Sequence, residues 1–281
     1  MNSEIHIVPT PEHESIEIEL FASAVYSKYG YDFRDYAQAS FKRRLLKACI
    51  KMNCKDTSDL LQRTIGDPNF FASLLNQLTV NVTESFRDPL VYKKLREEVL
   101  PYFKSYPEIK IWCAGCATGQ EAYSLAILLM EENLYDRALI YGTDINPSQL
   151  KRARDGILSL DTVKEATKNY YAAGGKLDFS QYYTAKYNAA ILNPRLKKNI
   201  IFADHNLVTD QGFGEMQLIL CRNVLIYFNR PLQEKVLGLF KGSLGARGFL
   251  CLGSKESLTF SEHRPDFEDF SKSERIYRRR T

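Results

Sequence analysis

The sequence predicts an α/β domain with an open, largely parallel sheet, preceded by an all-helical domain, and three observations carry that reading. From Ile16 to Phe103 the apolar residues recur at helical spacing almost throughout. Next comes Ile109-Lys-Ile-Trp-Cys-Ala-Gly-Cys-Ala-Thr-Gly-Gln-Glu121, a short apolar strand, a glycine-containing loop and the start of a helix, followed by an apolar run that ends on Asp144. Such a strand-loop-helix-strand order opens a βαβ unit, whose ligand crevice lies at the carboxyl ends of the strands. Two later apolar runs, 199–203 and 216–221, end in Asp204-His-Asn206 and Arg222-Asn223, so each delivers polar residues where a parallel strand would stop.

The chain has 281 residues, 44% hydrophobic and 26% charged, enough for one large domain or two modest ones. Its net charge of +4 is too small to argue for nucleic acid by itself. It has no apolar run long enough to span a bilayer and no charged-then-apolar leader, so a cytoplasmic protein without membrane insertion is expected. The six cysteines are scattered, mostly in apolar surroundings, as free thiols of a reducing compartment are. Cys113 and Cys116 form a C-x-x-C at a strand-to-helix junction, where a redox motif would sit. That reading leaves Gly119, Glu121 and Asp144 unexplained, and no second pair completes a zinc site, so no metal is expected.

In chain order, residues 1–14 read as a flexible lead-in and 15–78 as a helical, basic domain. Phe41, Leu45, Ala48, Cys49 and Met52 share one helix face, while Arg43, Arg44, Lys47 and Lys51 share another. A solvated face is the plain reading of this basic stripe; the functional one is a dock for an acidic protein helix or a phosphate backbone. Helices are expected at 57–64, 68–78 and 89–106. Between the last two, a β-branched polar linker carries Asn81, Thr83 and Arg87, and the linker with its connecting helix spans 79–106.

The α/β domain, 107–281, continues with a helix to Glu132, a strand to Asp144, a helix from Pro147 to Arg154 closed by Gly156, and another from Ser159 to Tyr171. Residues 174–199 break the rhythm with Tyr182, Tyr183, Tyr187 and the basic 195–198 run, and read as a small antiparallel hairpin insertion with a possible contact role. Strands at 199–203 and 216–221 resume the sheet. An apolar turn holding Tyr227, a helix from Arg230 to Leu244 closed by Gly245, and late antiparallel strands at 249–253 and 275–277 complete the expectation.

The loop's chemistry narrows the ligand. A pyrophosphate needs G-x-G-x-x-G at a helix N-terminus, whereas Gly115 and Gly119 lie four apart. A ribose-bearing cofactor without phosphate suits the loop better, with Asp144 accepting from ribose hydroxyls, and S-adenosylmethionine fits that description.

Taken together, Asn81-Val-Thr-Glu-Ser-Phe-Arg87, Ala114-Gly-Cys-Ala-Thr-Gly-Gln-Glu-Ala-Tyr-Ser124, Gly142-Thr-Asp-Ile145, His205-Asn-Leu207 and Cys221-Arg-Asn-Val-Leu-Ile-Tyr-Phe228 resemble the chemotaxis receptor methyltransferases of the CheR type. The resemblance spans 16–277. It implies a Rossmann-like class I methyltransferase sheet and transfer of a methyl group from S-adenosylmethionine to glutamates on chemoreceptor cytoplasmic helices, releasing S-adenosylhomocysteine; separately, a monomer is expected. It places Asn81, Thr83, Arg87, Gly115, Gly119, Glu121, Asp144, Asn206, Leu207, Arg222 and Asn223 around the cofactor, with Glu121 at the methionine part and Asp144 at the ribose. Arg87 and Tyr227 fall at the transfer centre. The basic stripe, Arg43, Arg44, Lys47 and Lys51, would meet the receptor, and the insertion would be a second receptor contact. Departures from the family pattern fall at Gln120, Ala122 and Glu84-Ser85. Another acidic signalling protein is an alternative substrate. An RNA substrate is a further one, against which Cys221-Arg-Asn-Val stands where many amino-methylating enzymes carry Asn/Asp-Pro-Pro-Tyr.

Overall fold

The computed structural model describes residues 11–79 and 83–281, with side chains from Ile16 onward. The expected lead-in up to residue 10 and the linker residue Asn81 lie outside the described residues. Two compact units are present: Met1–Val80 with Tyr227–Asn229, and Asn81–Ile226 with Arg230–Thr281.

The first unit is helical, with α1 (Pro11–Tyr29), α2 (Gln38–Lys51), α3 (Thr57–Gly66) and α4 (Pro68–Leu78). Helix α1 starts inside the expected lead-in, at a proline whose missing N–H costs nothing in a first turn. Asp56 and Asp67 cap α3 and α4 by accepting from the backbone N–H of Asp59 and Asn69. Phe21, Val25, Phe33, Phe41, Leu45, Leu60 and Leu74 form the core. Tyr227–Asn229 joins this unit through backbone bonds, Ala37 N to the Tyr227 carbonyl at 2.8 Å and Asn229 N to the Asp35 carbonyl at 2.9 Å.

The second unit is a seven-stranded sheet in the order β6-β2-β1-β7-β8-β10-β9. Strands β1 (Ile109–Ala114), β2 (Ala138–Asp144), β6 (Ile200–Asp204), β7 (Met216–Cys221) and β8 (Leu244–Leu252) run parallel, while β10 (Ile276–Arg279) is antiparallel to both β8 and β9 (Phe267–Ser271). Strand β1 is buried at almost every residue, as a parallel strand covered on both faces should be. Its covers include α7 (Gln120–Glu131), an apolar helix with Leu125, Ala126, Leu128 and Leu129 fully buried.

Several expected boundaries move. The connecting helix divides into α5 (Pro89–Lys94), a π turn at Leu95–Val99 and α6 (Leu100–Phe103). Pro101 offers no N–H to the carbonyl four residues back, and the widened turn accommodates that loss. Helix α10 (Arg230–Ser243) stops before Gly245, which lies within β8, and β8 pairs parallel with β7, so only β10 and β9 form the antiparallel edge. After α8 (Pro147–Asp155), Gly156 turns left-handed at φ 60° and releases the chain into β3 (Ile157–Ser159), ahead of α9 (Leu160–Ala172). Strand β3 then pairs with β5 (Ala189–Leu192), itself paired with β4 (Tyr183–Lys186), so the insertion is a three-stranded sheet that recruits a strand from outside 174–199.

One carboxylate fastens this insertion. The Glu131 side chain, 1% exposed, accepts from Arg96 Nη2 at 2.6 Å, Tyr182 Oη at 2.9 Å, Lys176 N at 3.2 Å and the Tyr170 hydroxyl. Burial would raise its pKa, but these donors outweigh burial and hold it below the usual carboxylate range. A depressed carboxyl contributes stability above its unfolded pKa, and that contribution is lost as pH falls through the folded value. Glu131→Ala should therefore cost on the order of 3 kcal/mol at neutral pH, with the deficit against wild type shrinking in acid. Urea unfolding at several pH values measures both.

Candidate functional site

The strand order reverses direction between β1 and β7, and the carboxyl ends of those two strands define the crevice of an open α/β sheet. Three backbone segments meet there.

The first is the loop between β1 and α7. Gly115, Ala117 and Gly119 all take positive φ, at 72°, 46° and 79°. Cys116 N bonds the Thr143 carbonyl at 2.8 Å, and Asp144 accepts from Ala117 N and Asn146 N, each at 2.9 Å. Burial raises the pKa of Asp144 while those N–H groups oppose the rise. The acid expected to meet a ribose thus also shapes the glycine loop, and each oxygen keeps a lone pair for a hydroxyl. On the Cβ side, both glycines face protein. An added Cβ would lie 2.5 Å from Val224 Cγ2 at Gly115, and 2.7 Å from Phe202 Cζ at Gly119. Left-handed turning and tight packing thus account for both positions.

The second segment is the described part of the linker. Thr83 and Arg87 are half-buried there. Ser85 Oγ bonds Gln120 Oε1 at 3.3 Å, and Phe86 N bonds Ser124 Oγ at 2.9 Å, which ties the linker to the first turns of α7. Two of the departures from the family pattern, Ser85 and Gln120, are therefore each other's partners. Phe86 and Asp88 hold φ of 53° and 54°, which side chains other than glycine adopt at a cost.

Arg222, at the end of β7, locks these pieces together. Its guanidinium is 2% exposed and bonds Asp88 Oδ2 at 2.7 Å, the Arg87 carbonyl at 2.9 Å and Glu121 Oε2 at 3.4 Å. Burial opposes its charge, yet the surrounding acidic groups outweigh burial and raise its pKa. Arg222, expected in the adenosine pocket, thus bonds three protein groups, while its Nε is buried without a hydrogen-bond partner among the described residues. Glu121 sits in the first turn of α7, where a negative charge meets the helix N-terminus. Burial raises its pKa despite Arg222 and Arg87.

The third segment follows β7. Asn223 has φ 62°, and its Oδ1 is buried without a hydrogen-bond partner among the described residues. Farther along the rim, Asn206 Oδ1 accepts from Val208 N at 3.0 Å, so its oxygen turns its own loop, and Leu207 is buried beside it. Sequence reasoning missed Glu256, whose carboxylate accepts four backbone N–H bonds, three of them from this third segment. Its one signal was an acid just beyond the apolar run 249–252.

Cys113 and Cys116 are free and buried, and burial pushes both thiols well above the ordinary range. A reactive thiol needs the opposite shift, which removes the redox reading. Among the described residues no group of His, Cys, Asp and Glu is arranged to hold a metal ion.

Tyr227 belongs to the helical unit. The Arg44 guanidinium lies 4.7 Å from its ring centroid and donates to the Leu78 carbonyl at 2.7 Å. Burial lowers the Arg44 pKa. Arg44 therefore leaves the expected basic stripe and turns inward, while Arg43, Lys47 and Lys51 remain exposed. Leu46 and Ile50 are exposed on the same helix, Ile50 at 78%.

Comparisons with known proteins agree with this architecture. Residues 81–276 match the SAM-binding domain of the CheR methyltransferases, and residues 16–79 match their all-alpha domain. Cher3 of Pseudomonas putida is 52% identical over 264 residues, covering 94% of this chain and 97% of that protein. The chemotaxis protein methyltransferase of Listeria monocytogenes is 29% identical over 241 residues, 85% of this chain and 88% of that one. Chemotaxis protein methyltransferase 1 of Vibrio cholerae is 29% identical over 255 residues with the same coverage. The chain belongs to the CheR methyltransferase family, and its α/β unit is that family's S-adenosylmethionine-binding domain.

Proposed function

We propose that the protein methylates glutamate side chains on the cytoplasmic helices of chemoreceptors. The observation that carries the substrate class is the exposed face of α2, where Arg43, Lys47 and Lys51 run alongside the apolar Leu46 and Ile50. A helix with an apolar seam flanked by carboxylates complements such a face in both respects. An RNA backbone would use the cations and leave the apolar pair idle, so a protein helix is favoured.

The α/β rim fits the cofactor by its own chemistry. Asp144 retains acceptor capacity for ribose hydroxyls, Glu121 offers a carboxylate to a cationic group, and the unpartnered Oδ1 of Asn223 seeks an N–H or O–H donor. Thr83, Gly115, Gly119, Asn206 and Leu207 line the same rim in this reading, and Asn81 joins them on the resemblance alone. When bound, S-adenosylmethionine supplies a methyl group activated on a sulfonium. The substrate carboxylate, with a reference pKa of about 4.3, is already ionised and needs no base. What remains for the protein is alignment and exclusion of water. We assign Arg87 to hold the carboxylate by charge-assisted hydrogen bonds, and Tyr227 to position it.

Asp144→Ala should weaken S-adenosylhomocysteine binding by about 3 kcal/mol, a factor of about 100, measured by calorimetry. Unchanged affinity would remove Asp144 from the site. The double reversal Arg43→Glu with Lys47→Glu should lower methylation of a receptor fragment at least about tenfold and leave S-adenosylhomocysteine affinity intact. Arg44→Ala should instead lower the unfolding free energy by about 1–3 kcal/mol, because it strips the Leu78 carbonyl of its donor. With labelled S-adenosylmethionine, the label on receptor should be released by mild alkali, as a methyl ester is, whereas alkali-stable label would point to another acceptor.

A further inference from the structure

The geometry points to Glu256 as the positioning residue that holds Asn223–Ile226 in its cofactor-binding shape. This inference rests on the S-adenosylmethionine site proposed above. Glu256 follows β8, the strand parallel to β7, and so reaches the same rim from a segment to which no role has been given. Its side chain is buried, and its oxygens accept four peptide N–H bonds. One oxygen takes Gly253 at 2.6 Å and Asn223 at 3.0 Å, and the other takes Val224 at 2.8 Å and Ile226 at 3.3 Å.

Only an ionised carboxylate accepts at both ends of this arrangement. A glutamine in its place would turn an NH2 toward two N–H donors. Gly253 makes room for the arrangement, since an added Cβ would lie 2.7 Å from Asn223 N and 2.7 Å from Glu256 Oε2.

What Glu256 holds is a segment with two features that packing alone leaves unexplained. Asn223 is kept in a left-handed conformation, and its buried Oδ1 finds no donor among the described residues. A native fold seldom leaves such a group unmatched, and a ligand donor would match it. One residue on, the side chain of Val224 fills the space where Gly115 would carry a Cβ. Glu256 therefore sets two surfaces at once, the Asn223 acceptor and the wall under the glycine loop.

Calorimetric titration of S-adenosylhomocysteine into Glu256→Gln, Asn223→Ala and the double variant tests this, with thermal unfolding recorded in parallel. Each single variant should bind about tenfold more weakly. The double variant should bind about as weakly as the weaker single one, because Glu256 acts through Asn223. Wild-type affinity in a cooperatively folded Glu256→Gln protein would overturn the inference, and so would a multiplicative loss in the double variant. If Glu256→Gln does not fold, Gly253→Ala disturbs the same carboxylate without removing it. A tenfold loss there supports the linkage, and wild-type affinity opposes it. Failure of the wild type itself to bind S-adenosylhomocysteine would instead strike the cofactor-site reading.

Discussion

A buried carboxylate that accepts from backbone N–H groups is the interaction on which the rim of the α/β unit depends. Asp144 ends β2 and bonds the N–H of Ala117, in the loop that follows β1, and of Asn146, at the start of α8. Strand pairing fixes β1 beside β2 but leaves the residues beyond both strands without ladder partners. Asp144 supplies what the ladder cannot, and a charged acceptor forms a stronger bond than a neutral one. The left-handed turns at Gly115, Ala117 and Gly119 are tolerable because the loop is held at both ends.

Arg222 performs the complementary task with the opposite charge. The linker, the start of α7 and the end of β7 lie far apart in sequence, and the guanidinium that follows β7 bonds the other two. Burying an arginine without partners would be prohibitive; paired with Asp88, Glu121 and a carbonyl, it becomes a register device. Positive φ at Phe86 and Asp88 shows how tightly the linker is held.

Much of this was legible in the sequence, and what was not has a physical cause. Apolar runs ending in polar residues revealed the parallel strands, because a strand buried on both faces has to be apolar until it leaves the sheet. The strands at 157–159 and 267–271 were hidden, since each is short and owes its existence to a partner distant in the chain. The glycines were visible as turn formers, but their reason lay in Val224 and Phe202, which local pattern cannot associate with them. Arg222 was legible as a charge at a strand end and, by resemblance, as a cofactor neighbour, but its bonds to Asp88, the Arg87 carbonyl and Glu121 are a tertiary fact. Ser85 and Gln120 looked like independent departures until the hydrogen bond between them made them one compensated change.

The basic face of α2 shows why spacing alone overcounts. Arg43, Arg44, Lys47 and Lys51 share a helical sector, yet a sector of about 100° contains both a solvent-facing centre and an inward-tilting edge. Arg44 lies at that edge and can reach a carbonyl that α4 leaves without an intrahelical donor, at the end where the helix dipole favours a cation. It also meets the faces of Tyr36 and Tyr227, to which a planar guanidinium is suited and an ammonium less so. The residues left outside are Arg43 and two lysines, flexible cations with little to hold them in one geometry. A surface of that kind gains little from any single ion pair and is better matched to a partner that presents several carboxylates at once. On the proposed reading of α2 as a receptor dock, the exposed Leu46 and Ile50 would supply the non-directional part of the contact, and recognition would depend on a repeating acidic helix rather than on one particular residue.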